Sequence, residues 1–222
     1  MRQLRSYIAR LEGWWFDRTR HVSTCGAVQL EGLTLAGDGK RGFMYLPARS
    51  AAVRRVLRNL PITEHQNYTF VDLGSGKGRM LFLAAEYPFR KVEGVEFAME
   101  LHSEAQQNIS RYRNRKKRCL KIESINLDAT DYEFPEDNLV IALFNPFGPD
   151  VMRRVLHHIR ESVERSARDV VMMILYPELA AVVDPGHWKT LKSTRRYCIY
   201  RFRSPELESP RQYSRHSSPT QS

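Results

Sequence analysis

The run Val71-Asp72-Leu73-Gly74-Ser75-Gly76-Lys77-Gly78-Arg79 decides how the rest of the chain is read. A short β-prone segment, Tyr68 to Leu73, ends in three closely spaced glycines, and a helical pattern follows from about Lys77 to Glu86. Glycine at a strand-to-helix turn permits tight backbone angles and lets a ligand approach with no Cβ in the way. Spacing excludes two nucleotide loops. In the dinucleotide loop G-x-G-x-x-G the third glycine would fall where Arg79 stands, so Gly78 comes one residue early. A P-loop ends in G-K-[S/T], and Gly76-Lys77 leads instead to Gly78, which offers no hydroxyl for magnesium.

Outward from this loop, strand and helix alternate. Lys91 to Glu96 reads as a second strand and Met99 to Arg113 as the next helix. Cys119 to Ile125 is a third strand, Leu139 to Phe144 a fourth, Val151 to Val163 a helix and Asp169 to Tyr176 a fifth strand, apolar along its length. Such alternation predicts an α/β fold with a mostly parallel sheet covered on both faces. His187 to Lys192 and Tyr197 to Phe202 are two further strand-like runs joined by a short polar turn, an antiparallel β-hairpin. Residues 48–203 are therefore expected to form the main domain. Residues 1–47 form an N-terminal extension: a helix to about Arg20, then a loop-rich stretch with glycines at Gly26, Gly32, Gly37, Gly39 and Gly42. The stripe Leu4, Tyr7, Ile8, Leu11 and Trp15 recurs at helical spacing and is expected to dock on the main domain. Arg49 to Leu60 is a helix closed by Pro61. Residues 204–222, rich in Ser, Pro and Arg, read as a disordered tail.

Three polar positions at strand ends complete a candidate site. Glu96 follows the glycine loop by about 20 residues, where an acid can accept hydrogen bonds from both hydroxyls of a ribose. Asp128 follows the third strand and can accept from an adenine amino group; Asp131 is its rival. Asn145, with Pro146 and Phe147, ends the fourth strand.

These features resemble the class I (Rossmann-like) S-adenosyl-L-methionine-dependent methyltransferases, from Tyr68 to about Phe202. The resemblance implies a seven-stranded sheet with helices on both faces and S-adenosyl-L-methionine as cofactor. It implies cofactor contacts from Asp72, Gly74, Ser75, Gly76, Gly78, Glu96, Phe97, Asp128, Ala129 and Asn145. In relatives that methylate amino groups, Asn/Asp-Pro-Pro-Tyr/Phe supplies oxygens that hold the N–H groups. Here Asn145-Pro146-Phe147-Gly148 is one proline short of that motif, and these three residues are the catalytic candidates, Phe147 as a surface for a planar acceptor. Phe16-Asp17 through Thr24-Cys25-Gly26, then Tyr45-Leu46-Pro47, is similar to small bacterial methyltransferases with no assigned substrate. The wording of Phe70 to Gly76 is also similar to Dot1-type lysine methyltransferases, over little beyond the loop. Tyr45, Glu178 and His187 are the candidates for a general base.

The acceptor is bounded more loosely. A net charge of +10 over 222 residues favours an anionic partner, and six of the eight residues from Arg111 to Arg118 are basic. That run suits either the cation-favouring end of a helix or a phosphate-contacting patch. The leading expectation is methyl transfer to a nitrogen of a nucleic acid or a protein. A cofactor-binding protein that recognises nucleic acid without transferring, and a small-molecule methyltransferase, are the alternatives; an NAD-dependent oxidoreductase is disfavoured by Gly78. Cys25, Cys119 and Cys198 form no C-x-x-C, and no cysteine–histidine cluster has zinc spacing, so no metal is expected. No apolar run approaches the roughly 20 residues of a transmembrane helix, and a cytoplasmic protein is the default expectation.

Overall fold

The computed structural model describes residues 2–36 and 44–203, with side chains from Arg10 onward. The tail 204–222 and the glycines Gly37, Gly39 and Gly42 lie outside the described residues. Seven strands form one sheet: β1 (Tyr68–Leu73), β2 (Lys91–Glu96), β3 (Ile122–Asn126), β4 (Asn138–Leu143), β5 (Val170–Leu175), β6 (Trp188–Ser193) and β7 (Tyr197–Phe202). Their order is β3-β2-β1-β4-β5-β7-β6. Strands β1 to β5 are parallel, and β7 runs antiparallel to both of its neighbours. The expected sheet and its closing hairpin are thus the observed ones. Helices α1 (Arg2–Arg20), α2 (Ser50–Leu57), α3 (Arg79–Ala84), α4 (Met99–Arg111) and α5 (Pro149–Arg165) precede or connect the strands.

Two apolar clusters, one on each face, hold the sheet. Successive residues of β1 divide between them: Phe70 packs in one with Phe82 and Val56, while Val71 and Leu73 pack in the other with Met152 and Ile159. Every residue of β5 is buried, which is why its sequence is an unbroken apolar run with no alternation. The third strand starts later than its sequence suggests, at Ile122 instead of Cys119. The backbone N–H groups of Arg118 and Cys119 both donate to the carbonyl of Ala85, which holds this segment against the end of α3 before it reaches β2.

The N-terminal helix docks, but by a different face. Leu11, Trp14 and Trp15 are 49%, 58% and 62% exposed, and Phe16 is 2% exposed. Leu4, Tyr7 and Ile8 lie outside the described side chains. The docked face is Gly13, Phe16, Asp17 and Arg20, spaced as one helical stripe. Gly13 has no room for a side chain, since a Cβ there would lie 2.8 Å from Cys25 Sγ. From Arg10 onward, the docked face is thus the one with polar anchors, and Leu11 and Trp15 of the expected stripe stay exposed.

One of those anchors is Glu86, just beyond α3. Its Oε1 accepts from Arg20 Nη2 at 2.9 Å and from Arg54 Nη2 at 2.6 Å. Asn114 Nδ2 donates to the same oxygen at 3.1 Å. Burial alone would raise the Glu86 carboxyl, but Arg54 and Arg20 outweigh it and hold the group below the usual carboxylate range. Removing one partner of a buried pair leaves charge uncompensated. Glu86→Ala is therefore expected to lower unfolding stability by about 3 kcal/mol, read from the denaturant midpoint. A loss well under about 1 kcal/mol would mean that solvent screens the cluster as it does an exposed pair.

Candidate active site

Strands β1 and β4 are neighbours in the sheet but not in sequence, and their connections leave in opposite directions. In open α/β sheets this switch point opens a crevice beyond the carboxyl ends of the strands. A cavity of about 450 Å³ lies there, lined among others by Asp72, Ser75, Glu96, Phe97, Asn145 and Pro146. Its size is within the range of small-ligand and cofactor sites.

The glycine loop is shaped mostly by the protein's own packing. Gly74, Gly76 and Gly78 all have positive φ, at 81°, 52° and 87°, as their sequence positions predict. The close approaches, however, are to the chain itself. A Cβ at Gly74 would lie 2.3 Å from Pro146 Cβ, and one at Gly76 would lie 2.3 Å from the ring of Tyr45. Gly74 lines the cavity; Gly76 and Gly78 do not. Gly94 plays a matching part on β2, since a Cβ there would meet Ser75 Oγ at 2.6 Å.

The two acids of the first strands face a common space. Asp72 ends up between Gly94 and Ala142 in register, so small neighbours leave its carboxyl open toward the cavity. Burial, followed by the nearby Glu96 carboxylate, pushes the Asp72 carboxyl up to about 8. Glu96 accepts from the Gly76 N–H at 2.7 Å through Oε2 and from the Ala98 N–H at 3.0 Å through Oε1. Burial raises its carboxyl too, although those backbone N–H groups act in the opposite direction. Asn126, which the sequence did not single out, fixes the end of β2 by donating from Nδ2 to the carbonyls of Glu96 and Phe97.

The end of β4 is strained in a way that aims a side chain. Asn145 has φ 43°, in the left-handed region that asparagine tolerates better than most residues. Among the described residues its Oδ1 is buried without a hydrogen-bond partner, and so is Ser75 Oγ. Both residues line the cavity. A buried oxygen without a donor is costly unless something fills its lone pairs, so both atoms point to a polar ligand.

Phe147 departs from its expected place. It is 6% exposed and belongs to the apolar cluster, not to the cavity lining. Gly148 caps α5, so Phe147 and Met152 occupy the two positions of a hydrophobic staple, and both are buried in that cluster. Tyr45, Phe97, Phe144 and Tyr176 do line the cavity, and the rings of Phe144 and Tyr176 lie with centroids 5.6 Å apart. Tyr176 follows β5 as Asn145 follows β4, and it too has a positive φ, 52°.

Asp128 and Ala129 lie outside the cavity lining. Asp128 Oδ1 accepts from both the N–H and the hydroxyl of Thr130 at 2.8 Å, an aspartate turn. Ala129 is buried in the apolar cluster. Of the base candidates, His187 pairs with Asp184 at 2.6 Å and stacks on Phe202, away from the cavity. Tyr45 lines the cavity, but its hydroxyl donates to the Thr24 carbonyl and burial pushes its ionisation far above the ordinary range. Glu178 stands at the rim beside Tyr176.

A second group, scattered in sequence, closes over the loop. Asp17 accepts from the Thr24 hydroxyl at 2.6 Å and from the Thr24 and Cys25 N–H groups. Arg79 pairs with Asp17 at 3.4 Å and donates from Nε to the Thr24 hydroxyl at 2.7 Å. Arg79 thus ties the first residue of α3 to the N-terminal extension, and the Tyr45 hydroxyl donates to the carbonyl of the same Thr24.

No protein-family model matches the sequence, and neither does any curated protein. Solved structures do resemble it. A putative methyltransferase from Escherichia coli is 12% identical with a TM-score of 0.55, over 81% of this chain and 99% of that one. A putative methylase from Haemophilus influenzae is 19% identical with a TM-score of 0.52, over 80% and 99%. The magnesium protoporphyrin IX methyltransferase of Synechocystis, solved with bound S-adenosylmethionine, is 13% identical with a TM-score of 0.51, over 69% and 79%. The chain has the Rossmann-like fold of the class I methyltransferases.

Proposed function

We propose that the protein is an S-adenosyl-L-methionine-dependent methyltransferase acting on a nitrogen of a nucleic acid. The observation that carries this reading is the pair of unpartnered buried oxygens, Ser75 Oγ and Asn145 Oδ1, in a cavity that also receives the Asp72 and Glu96 carboxyls. A cofactor with a cationic amino acid end and a ribose matches that set. Asp72 takes the cationic part, Ser75 and the loop backbone take polar groups, and Glu96 takes hydroxyls with the lone pairs not used by Gly76 and Ala98. When bound, the cofactor supplies an electrophilic methyl group on a sulfonium.

The chain's own work is then positioning, which is where much of the rate gain of such a displacement arises. Asn145 Oδ1 accepts an N–H of the acceptor and turns its lone pair toward the methyl group. Phe144 and Tyr176 offer an aromatic surface to a planar acceptor. Glu178 at the rim is the carboxylate left to accept a proton. The basic charge supports a nucleic acid over a small molecule.

Calorimetric titration with S-adenosylhomocysteine, followed by incubation with methyl-labelled cofactor and cell lysate, tests this in two stages. Label removed by nuclease and retained after protease is the expected outcome. No binding of S-adenosylhomocysteine would remove the cofactor reading, whereas label lost only to protease would move the acceptor to protein.

A further inference from the structure

Beside the cofactor cavity lies a second one, of about 360 Å³, lined by one side of α2, the end of β5 and the β6–β7 hairpin. Among the described residues its charged side chains are Arg49, Arg55 and Arg196, with no carboxylate in its lining. Tyr176 lines both cavities, so the two adjoin. Among the described residues, the first is lined by three carboxylates, Asp72, Glu96 and Glu178, and one arginine, Arg79, which is already paired with Asp17. The site is therefore polarised, one chamber suited to a cation and its neighbour to an anion.

These arginines are not committed to the fold. Arg20, Arg54, Arg79 and Arg201 each pair with a carboxylate. Arg55 and Arg196 have no such partner among the described residues, and Arg49 has only a 3.8 Å contact with Glu12. The turn that carries Arg196 is nonetheless held by hydrogen bonds. Thr194 Oγ1 accepts from the Arg196 and Tyr197 N–H groups, and the Tyr176 N–H donates to the Arg196 carbonyl at 2.8 Å. The strained Tyr176 and the cationic chamber are thus fixed to one another.

The basic run 111–118 is placed elsewhere. It follows α4 and leads back to the start of β3, with Arg118 bonded to Ala85, so it lies toward the amino ends of the strands and away from both cavities. Its position assigns it no part in holding the acceptor.

We propose that the Arg49–Arg55–Arg196 chamber binds a backbone phosphate of a single-stranded polynucleotide whose neighbouring base stacks on Phe144 and Tyr176 and enters the cofactor cavity. A base must leave its stack to reach a methyl donor at that depth, and aromatic stacking beside a phosphate contact is how single strands are commonly held. This rests on the methyltransferase reading and adds to it the strandedness of the acceptor and the residues that hold its phosphate.

The test uses the full chain and fluorescently labelled oligonucleotides of mixed sequence, single-stranded RNA and DNA and the matching duplex, followed by anisotropy across a salt series. The wild-type protein is expected to prefer a single strand. Arg55→Ala with Arg196→Ala should weaken that binding about tenfold or more and make the log–log salt slope shallower by about one to two. S-adenosylhomocysteine affinity, measured by calorimetry, should not change, which also shows that the double variant folds. Replacing Arg113, Arg115 and Lys116 with alanine should leave the single-strand salt slope nearly intact. Wild-type-like binding by the double variant, a loss confined to the basic-run variant, a preference for duplex, or no binding by the wild-type protein would each overturn the proposal. Failure of S-adenosylhomocysteine to bind the wild-type protein would instead sink the cofactor reading, whatever the oligonucleotides do.

Discussion

Asn145→Gly is expected to slow methyl transfer by about a hundredfold while changing cofactor affinity far less. Glycine is the informative replacement because it accepts the positive φ of this position without strain, so the side chain is removed and the turn is kept. Alanine would add the cost of a left-handed backbone, on the order of 1 kcal/mol, and blur the result. The expected loss follows from Asn145 Oδ1 being a buried acceptor without a donor, at the mouth of a cavity flanked by Phe144 and Tyr176. An acceptor nitrogen that is no longer held samples unproductive orientations, and the rate falls with the fraction correctly placed. Asn145→Asp retains an oxygen at the same reach and should recover part of the rate. The measurement is the initial rate of label transfer to the lysate fraction that the wild-type protein methylates, alongside calorimetry with S-adenosylhomocysteine. Normal turnover in the glycine variant, or a loss explained wholly by cofactor affinity, would remove Asn145 from acceptor binding.

The elements legible in the sequence are those set by local rules. Tyr68–Leu73 and Lys91–Glu96 begin and end where their β-prone runs do, because the sheet's covered core demands apolar residues and the turns demand glycine or acid. That Asp72, Glu96 and Asn145 line one cavity was legible for a related reason: they stand at strand ends beside a switch point, where open α/β sheets form their crevice. The expected site residues that sit apart from the cavity lining have a different cause. Phe147 follows Asn145 but packs in the core at the start of α5. Asp128 Oδ1 closes a turn on Thr130. The N-terminal helix docks through Phe16, Asp17 and Arg20 because its partners Arg79 and Glu86 are distant in sequence. No periodicity announces such a pairing. Tyr176, Glu178 and the three arginines of the second cavity come together through the β5–β7 pairing, which brings Arg196 beside Tyr176, and the packing of α2 on β5, which brings Arg49 and Arg55; a linear reading reveals neither.

The second large effect concerns Asp72, whose protonation should be coupled to cofactor binding. Its carboxyl is held at about 8 by burial and by Glu96, against an ordinary value near 3.8. The folded, ligand-free protein therefore carries a proton there that the unfolded chain has lost. Between those two values the folded state binds more protons than the unfolded one, so this group's contribution to stability declines as pH rises from about 4 to about 8. A cationic ligand beside the carboxyl favours the charged form and reverses the shift. At pH about 7 the free protein holds the proton and the complex does not, so binding should release about one proton. Calorimetric titration in buffers of different ionisation enthalpy reads that number directly from the slope of the observed enthalpy. Asp72→Asn should abolish the buffer dependence and weaken cofactor binding by about a hundredfold, the loss of one strong charge-assisted contact. Glu96→Gln serves as the control, since it removes the neighbouring charge but keeps Asp72: its ligand-free Asp72 should ionise at lower pH and release fewer protons. Equal enthalpies across buffers for the wild-type protein would mean that no cationic group of the ligand sits at Asp72. The carboxyl at the end of β1 would then be a buried acid serving the loop, and the orientation of the cofactor in the cavity would have to be reversed.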